Sequence, residues 1–488
     1  MRLAAIMLLS AATSCQSVFG GFGMDNPDNC SLNGQLCTAP DEACNPSTKL
    51  CEPAIQLLSV TPARASNQGG ETAILRGKNL TSALTVRFAG VDATVSGSMQ
   101  GAAEDQLTVV IPPNVTLKGK VSIELVHPEG QKQQRDDLFS YYSKITFAET
   151  IIAGPNDARG VYGGDFNGDG HPDVALCDNG TDRLYFFPGV GDGTFAAPIL
   201  TSLDITPQYC AAGDINGDGK QDILVSNQSS KQYQVSFGDG TGNYQKQPAF
   251  SAGDYVTELA LADLNHDGKA DLIAADGSQI LVQQGDGLGG FGTPTLYPVF
   301  SALSPPTLTM TDMNGDGQLD LLTSNGTDAF QALLFGDGQG GFVQPSTQIV
   351  LPKQPRRTLA ADLNGDGFLD LLSAVSSGAQ LTYSPGRSDR SFGIGQPITV
   401  QNPVSYMVTS DLNGDGALDI AWVSNFSTKN FGTLVGLSDG TFVSPQVQNA
   451  GLGPSGIVVQ DLNGDGKPDI VVPEHIAHQL RILLNTSI

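Results

Sequence analysis

The sequence predicts an all-β protein, and three observations lead to that class. The pattern Asp-x-Asn-x-Asp-Gly-x-x-Asp occurs seven times at a spacing of 49 or 50 residues, and a fixed period of this length is typical of repeat architectures. Each period also contains four short strand-like segments separated by Gly/Asp turns, which is the composition of a propeller blade. The last repeat stops after its third strand, and a segment before the first repeat resembles the missing fourth strand. We therefore predict a seven-bladed β-propeller closed by an N-terminal outer strand.

Residues 1–14 have the features of an export signal. Arg2 precedes the apolar stretch 3–9, and small residues lead to Cys15; such a segment is too short to cross a membrane. It resembles a bacterial lipoprotein signal, which implies that Cys15 is lipidated, although Ala12 stands where Leu is commonest in that family. The alternative is an ordinary signal peptide cleaved nearby. We expect an exported protein, either a lipoprotein of the outer membrane or cell surface, or a secreted or periplasmic one.

A tether and a cysteine cluster follow the signal. Residues 15–29 are rich in Gly and lack periodicity, as in a flexible tether. Residues 30–53 contain few core-forming side chains, so disulfides rather than a hydrophobic core are expected to hold them. Zinc is the weaker alternative because the segment has no close C-x-x-C pairs. The two predicted disulfides, whose connectivity stays open among three options, use Cys30, Cys37, Cys44 and Cys51.

Residues 54–143 form the second predicted domain, a small Ig-like β-sandwich. Segments of five or six residues with strand propensity alternate with Gly, Asn and Pro turns over about 90 residues. The pieces Arg76-Gly-Lys-Asn-Leu, Val86-Arg-Phe-Ala-Gly and Val109-Val-Ile-Pro-Pro resemble an IPT/TIG domain. That resemblance implies an immunoglobulin-like spacer or interaction module without chemistry of its own.

Residues 144–488 form the repeat region. In the third repeat, a first strand enters the Asp motif, a second leaves it at Asp271, a third begins at Gln279, and a fourth is expected to begin at Phe291. These repeats resemble FG-GAP/VCBS repeats, the family of the integrin alpha-chain propeller. The chain stops after a third strand, and segment 146–152 matches a fourth strand, so it is expected to complete the last blade and remove a free edge.

The Asp motif has the donor pattern of a calcium loop. Positions one, three, five and nine offer side-chain oxygens, position seven can add its carbonyl, and Gly at position six permits the sharp turn. The alternative is an Asx turn without metal, but a turn does not need three carboxylates within nine residues. We expect up to seven structural Ca²⁺ ions. The predicted ligands are Asp165, Asn167, Asp169, Asp173, Asp214, Asn216, Asp218, Asp222, Asp263, Asn265, Asp267, Asp271, Asp312, Asn314, Asp316, Asp320, Asp362, Asn364, Asp366, Asp370, Asp411, Asn413, Asp415, Asp419, Asp461, Asn463, Asp465 and Asp469.

Charge and motif content narrow the possible functions. The net charge of −25, from 50 acidic against 25 basic residues, argues against nucleic acid as a partner. No catalytic constellation stands out, so no catalytic residue is predicted and the protein is not expected to be an enzyme. His475 and His478 are spaced as a possible metal pair but lack a Glu partner, and Trp422 is expected in the core. The cysteines Cys177 and Cys210, in neighbouring repeats, either pair or remain buried thiols.

The predicted binding surface is the face of the propeller away from the Asp loops. Bases and aromatic residues in the loops of that face make it the candidate for recognition, although scattered solvated charges are the alternative. We therefore expect a lipid-anchored, calcium-stabilised adhesion scaffold for an extracellular protein or glycan, of unknown oligomeric state and with no membrane contact besides the anchor. The rivals are a polysaccharide lyase, a phosphodiesterase or a lectin. The candidate residues are Arg159, Lys231, Arg356, Arg357 and Lys429, near Lys353, Tyr209, Asn430 and Phe431.

Overall fold

The computed structural model describes residues 42–44, 51–114, 119–251, 256–300, 307–424, 430–449 and 451–487. These residues form strands and turns, and no helix among them has the length and hydrophobicity that a membrane crossing requires. The chain divides into two compact units, the second of which spans Ile145–Ser487. The predictions for Cys15, Cys30 and Cys37 lie outside the described residues.

The described residues of the first unit form ten strands. Two short ones form a hairpin whose register places the backbone of Cys44 opposite that of Cys51. The strands are Glu42–Cys44 (β1), Cys51–Pro53 (β2), Gln56–Thr61 (β3), Arg64–Ser66 (β4), Thr72–Lys78 (β5), Thr85–Phe88 (β6), Val91–Met99 (β7), Asp105–Val110 (β8), Gly119–Val126 (β9) and Lys132–Tyr142 (β10). The eight strands after the hairpin follow one hydrogen-bonded path in the order β3-β5-β8-β7-β6-β9-β10-β4.

The eight-stranded sheet wraps around one apolar core. Alternate residues of β5, β8 and β9 are buried, because successive side chains of a strand point to opposite faces. Phe139 packs edge-on against Phe88 and Tyr141. The strand β7 joins the two halves and shifts register between Val95 and Gly97, which lets one continuous sheet bend into the two layers expected of a sandwich.

The second unit is the predicted seven-bladed propeller. Blades one to four consist of Ala158–Gly164 (β12), Asp173–Asp178 (β13), Arg183–Phe187 (β14) and Ile199–Ser202 (β15); Tyr209–Gly213 (β16), Asp222–Asn227 (β17), Gln232–Gly238 (β18), Tyr244–Lys246 (β19) and Phe250–Ser251 (β20); Val256–Ala262 (β21), Asp271–Asp276 (β22), Gln279–Gln283 (β23) and Thr295–Pro298 (β24); and Thr307–Thr311 (β25), Asp320–Ser324 (β26), Phe330–Leu334 (β27) and Thr347–Val350 (β28).

Blades five to seven repeat the same antiparallel order, and the N-terminal strand Phe147–Ala153 (β11) belongs to the last of them. They consist of Pro355–Ala361 (β29), Asp370–Val375 (β30), Gln380–Ser384 (β31) and Gln396–Thr399 (β32); Tyr406–Ser410 (β33), Asp419–Val423 (β34), Asn430–Leu434 (β35) and Gln446–Asn449 (β36); and Val458–Gln460 (β37), Asp469–Glu474 (β38) and Gln479–Asn485 (β39).

The sequence pattern explains the layers of each blade. In each of the seven blades, the second strand is buried along its whole length, because a strand inside a blade packs against both neighbouring blades. Trp422, in β34, is fully buried, as predicted for a core residue. The fourth strand differs from the expectation. Phe291 lies before it and forms an isolated bridge with Gly285, and the strand begins only at Thr295.

The ring is closed in the way that the two ends of the repeat region predicted. β11 pairs antiparallel with β39 along seven residues, so the last blade takes its outer strand from the N-terminal side of the repeats. Arg481 of β39 is nearly buried and donates to Glu474 at 2.6 Å and to Glu149 of β11. Because Glu474 is itself fully buried, this cation neutralises a carboxylate at the closure.

A disulfide joins the first two blades. Cys177 of β13 and Cys210 of β16 form an S–S bond, and their Cα atoms lie 6.7 Å apart. Both residues are buried. Of the two alternatives left open by the sequence, the structure therefore contains the paired form.

Candidate functional site

The seven Asp loops are held by hydrogen bonds to their own backbone. In the first loop, Asp165 Oδ2 accepts from the N–H of Gly170 at 3.0 Å, and Asn167 Oδ1 accepts from the N–H of Asp169 at 2.9 Å. Gly170 has φ of +85°, a conformation that side chains disfavour. The remaining six loops repeat these contacts at 2.8 to 3.0 Å. The loops are therefore Asx-type turns of one design.

The Asp at position nine joins each loop to the neighbouring hairpin. Asp173 is fully buried; its Oδ2 accepts from the N–H of Phe166 at 3.0 Å and its Oδ1 from the N–H of Gly189 at 2.7 Å. All seven blades have both bonds, with distances of 2.8 to 3.0 Å at Oδ2 and 2.7 to 2.9 Å at Oδ1. In the last blade Asn485 takes the place of the glycine. We call this arrangement the position-nine clamp.

Burial alters the acidity of the clamp residues. Desolvation raises the pKa of all seven carboxyls, to about 6 for Asp222 and to about 8 for Asp419, against the opposing effect of the backbone N–H donors. A carboxylate in this position is costly unless it is hydrogen-bonded. The clamp carboxylates therefore depend on hydrogen bonds from the backbone of the folded chain.

The loops match calcium in the chemistry of their donors. Positions one, three and five present oxygen ligands at or near the loop surface, and hard cations take oxygen ligands. Within the part of the chain that the structure describes, no three carboxylate, imidazole or thiol side chains converge as ligands of one ion. The ninth carboxylate instead faces backbone donors. The two histidines of the last blade each contact a backbone carbonyl, His475 that of Gly453 and His478 that of Asn156.

The first strands of the seven blades surround a central channel. Each contacts the first strand of the next blade, and β12 contacts β37 to complete the ring. A cavity of about 270 Å³ opens where these strands begin. Because every first strand runs toward its Asp loop, this end of the channel lies on the opposite face. We call it the channel mouth; its polar lining includes Arg159, Tyr162, Gln208, Tyr209, Thr257, Glu258, Arg357, Tyr406, Ser455 and His475.

Arg357 is the centre of the channel mouth. Its Nη1 donates to Glu258 Oε1 at 3.2 Å, which links the fifth blade to the third, and its guanidinium carbon lies 4.6 Å from the ring centroid of Tyr406. Burial is the largest single effect and opposes the charge of Arg357, but Glu258, Tyr406 and Tyr162 together outweigh it. The pKa of the guanidinium therefore lies above its ordinary value. The cation is therefore fixed in place by one carboxylate and one aromatic face.

The rest of the mouth combines aromatic and charged groups. Tyr162 donates its hydroxyl hydrogen to the carbonyl of Cys210, and burial raises its pKa. Arg159 stands at the rim, half-exposed, and pairs with Asp157 at 3.0 Å. The lining thus holds two arginines against the single carboxylate of Glu258, in a chain whose net charge is −25.

The predicted ligand-face residues separate into two groups. Arg159 and Arg357 line the channel mouth, within first strands rather than loops. Lys231 and Arg356 are exposed outside it, and Lys429 lies outside the described residues. Phe431, expected on this face, is instead buried and packs edge-on against Phe147.

The sequence analysis did not identify Glu258, Tyr162 or Tyr406 as site residues, although the repeats contain a signal for Glu258 and Tyr406. Aligning the repeats on the first Asp of each loop places one residue of every blade five positions earlier, at the start of the first strand. Six of these seven line the channel mouth, all except Thr307. The aligned residues are Gly160, Tyr209, Glu258, Thr307, Arg357, Tyr406 and Gly456. The residue type at this position differs from blade to blade, whereas the loop motif is the same in every repeat. A variable position of this kind indicates the inner surface of the ring.

Comparison with solved structures yields distant likenesses, all below 20% identity. An Agrocybe aegerita lectin that recognises non-reducing terminal N-acetylglucosamine is 18% identical, with a TM-score of 0.43 over 69% of this chain and 89% of the other. A functionally unknown protein from Desulfotomaculum acetoxidans is 9% identical, with a TM-score of 0.45 over 63% and 90%. The Photorhabdus luminescens Tc holotoxin pore is 16% identical, with a TM-score of 0.35 over 75% and 19%.

Family comparisons are more specific. Among curated proteins, none matches the chain by sequence. The FG-GAP-like repeat family matches residues 165–225, 214–274, 312–373 and 411–472, and the IPT/TIG domain family matches residues 56–141. Both families were indicated by the sequence motifs. The chain carries an IPT/TIG domain followed by FG-GAP-like repeats that form a seven-bladed β-propeller.

Proposed function

We propose that the protein is an exported binding scaffold that recognises an extracellular protein or glycan at the channel mouth. The observation that carries this proposal is the convergence of Arg357, Glu258 and Tyr406, from three different blades, on one cavity. Concave sites with a few fixed polar groups among aromatic walls are the usual form of a ligand site. The lipid on Cys15 anchors the scaffold to the membrane in this proposal.

Binding rather than catalysis fits the polar groups of the mouth. Glu258 is the only carboxylate among its described lining residues, whereas paired-carboxylate hydrolysis of glycosides needs two. That one carboxylate is also engaged by Arg357, whose Nη1 lies 3.2 Å from Glu258 Oε1. The protein is therefore proposed to act without turning over its ligand.

Calcium has a structural role in this proposal. The side chains of positions one, three and five, with the carbonyl of position seven, would hold each ion, and a bound ion would offset the mutual repulsion of the loop carboxylates. At a tenfold excess over Kd one site adds about 1.4 kcal/mol, so seven independent sites add on the order of 10 kcal/mol. That amount is comparable to the stability of a whole domain.

The test is a binding screen of the purified full chain against glycans and cell-surface proteins, with and without calcium. We expect saturable binding of at least one class and no chemical change in the ligand. Chelation is expected to lower the melting temperature. Turnover of a glycan or phosphodiester would contradict the scaffold role, and an unchanged melting temperature on chelation would contradict the calcium proposal.

A further inference from the structure

We propose that the channel mouth binds a carboxylated sugar of the hexuronate type, with the sugar carboxylate on Arg357 and its hydroxyls on Glu258. This inference rests on the proposed binding function of the same cavity and names the chemistry of its ligand. It follows from which donors and acceptors of the mouth the fold leaves unused.

Arg357 has a vacant pair of donors. A guanidinium carries five N–H groups, and the protein acceptor of Arg357 in the described residues is Glu258, which takes Nη1. The Nε and Nη2 hydrogens have no acceptor within the described chain. Two adjacent guanidinium N–H groups match the two oxygens of a carboxylate in a bidentate pair. The ring of Tyr406, whose centroid lies 4.6 Å from the guanidinium carbon, restrains the position of the guanidinium.

Glu258 requires the opposite kind of ligand group. Its Oε1 accepts from Arg357, and no donor reaches its Oε2 from the residues that the structure describes. An ionised carboxylate only accepts hydrogen bonds, so the ligand must present a donor such as a hydroxyl beside its own carboxylate. A sugar acid carries both groups on one ring. A second acidic group without hydroxyls would meet Glu258 with like charge.

Size and walls agree with one sugar ring. The cavity of about 270 Å³ is smaller than the range of about 300 to 1,000 Å³ typical of drug-sized ligands. Tyr162 and Tyr406 supply aromatic surface, with an apolar face for the ring carbons. Arg159 at the rim adds a second cation, which attracts further negative charge along an acidic polysaccharide.

The experiment is calorimetric titration of the full chain with methyl β-D-glucuronide and D-galacturonate, against methyl β-D-glucoside and N-acetyl-L-aspartate amide. One substitution is Arg357→Lys, which keeps the charge but removes the two adjacent guanidinium N–H groups. Arg356→Lys, at the neighbouring exposed position, is the matched control. Arg159→Gln, at the rim, serves as a second variant. Each variant is first shown to melt within a few degrees of the wild type.

We expect a uronate to bind, the neutral glucoside to bind at least tenfold more weakly, and Arg357→Lys to weaken uronate binding at least tenfold while Arg356→Lys leaves it unchanged. If Arg357→Lys does not fold, the Arg159→Gln variant decides: a severalfold loss of uronate affinity supports the proposal, and an unchanged uronate affinity overturns it. Equal binding of the glucoside, tighter binding of the aspartate derivative, or no uronate binding also overturns it. In that last case, a surface partner that still depends on Arg357 would show that the proposed function stands and the sugar assignment alone fails.

Discussion

The position-nine clamp predicts that Asp173→Asn destabilises the propeller whether or not calcium is present. The carboxylate accepts three backbone N–H groups, from Phe166, Asn167 and Gly189 at 3.0, 3.2 and 2.7 Å. An amide has one oxygen, so the better orientation keeps two bonds and turns an NH₂ group toward the buried N–H of Gly189. Hydrogen bonds to charged groups contribute about 1.5–3 kcal/mol each, and an unsatisfied buried donor costs about 1–3 kcal/mol.

Relief of the burial cost that raises the pKa of Asp173 reduces the net loss, which we place at about 2–4 kcal/mol. For a unit of about 340 residues, an unfolding entropy of about 2.1 cal/mol/K per residue converts this to a fall in melting temperature of about 3–6 °C. The assay is thermal unfolding of the full chain in chelator, with Asp169→Asn as the control. Asp169 belongs to the same loop, but it is exposed and accepts from His171 at the surface.

In chelator the control is expected to lose less than about 1 kcal/mol. In excess calcium the control should lose a further increment, because Asp169 lies at position five and would hold the ion. Asp173→Asn should lose no such increment, because Asp173 faces backbone donors. An Asp173→Asn protein that melts within 1 °C of the wild type in chelator would refute the clamp. Equal losses in the two variants under chelation would refute it as well.

Three further predictions concern the way the ring is held. Arg481→Leu leaves Glu474 buried without its cation, so we expect a loss of about 3–5 kcal/mol in denaturant unfolding; an unchanged midpoint would contradict the ion pair. Replacing Cys177 and Cys210 with Ser removes a cross-link at a sequence separation of 33 and should cost about 3–4 kcal/mol, while non-reducing peptide mapping of the wild type recovers the linked pair; free thiols there would contradict the bond. Removing β11 exposes the edge of β39, so the truncated chain should aggregate in light scattering, and a monomer of unchanged melting temperature would contradict the closure.

The fold could be predicted because its determinants are local and repeated. The loop motif fixes the period, and the apolar second strands show in the sequence as runs such as Asp271–Asp276. Closure followed from matching one unpaired segment at each end. The misplaced fourth strand has a physical reason. The aromatic Phe291 is prominent in the sequence, but it forms a bridge at the hairpin. The pairing strand that follows has only four residues, three of them exposed.

The candidate site was less accessible because it depends on contacts between blades. Arg357 and Glu258 are 99 residues apart. Both lie five residues before the first Asp of their loops, but that alignment does not show that two side chains from blades two repeats apart meet. Arg356 and Arg357 are neighbours in sequence, yet only the second faces the channel, since side chains alternate along a strand. The clamp was missed for a similar reason, as its Gly189 donor lies 16 residues from Asp173.

The most direct test of the central claim, that recognition occurs at the channel mouth and the Asp loops only stabilise the ring, compares two folded variants in one surface-binding titration. Arg357→Gln changes the mouth, and Asp169→Asn changes a loop on the opposite face. With melting temperatures matched to the wild type, we predict that the first loses at least tenfold in affinity and the second binds as the wild type does. Full binding by Arg357→Gln together with lost binding by Asp169→Asn would contradict the account.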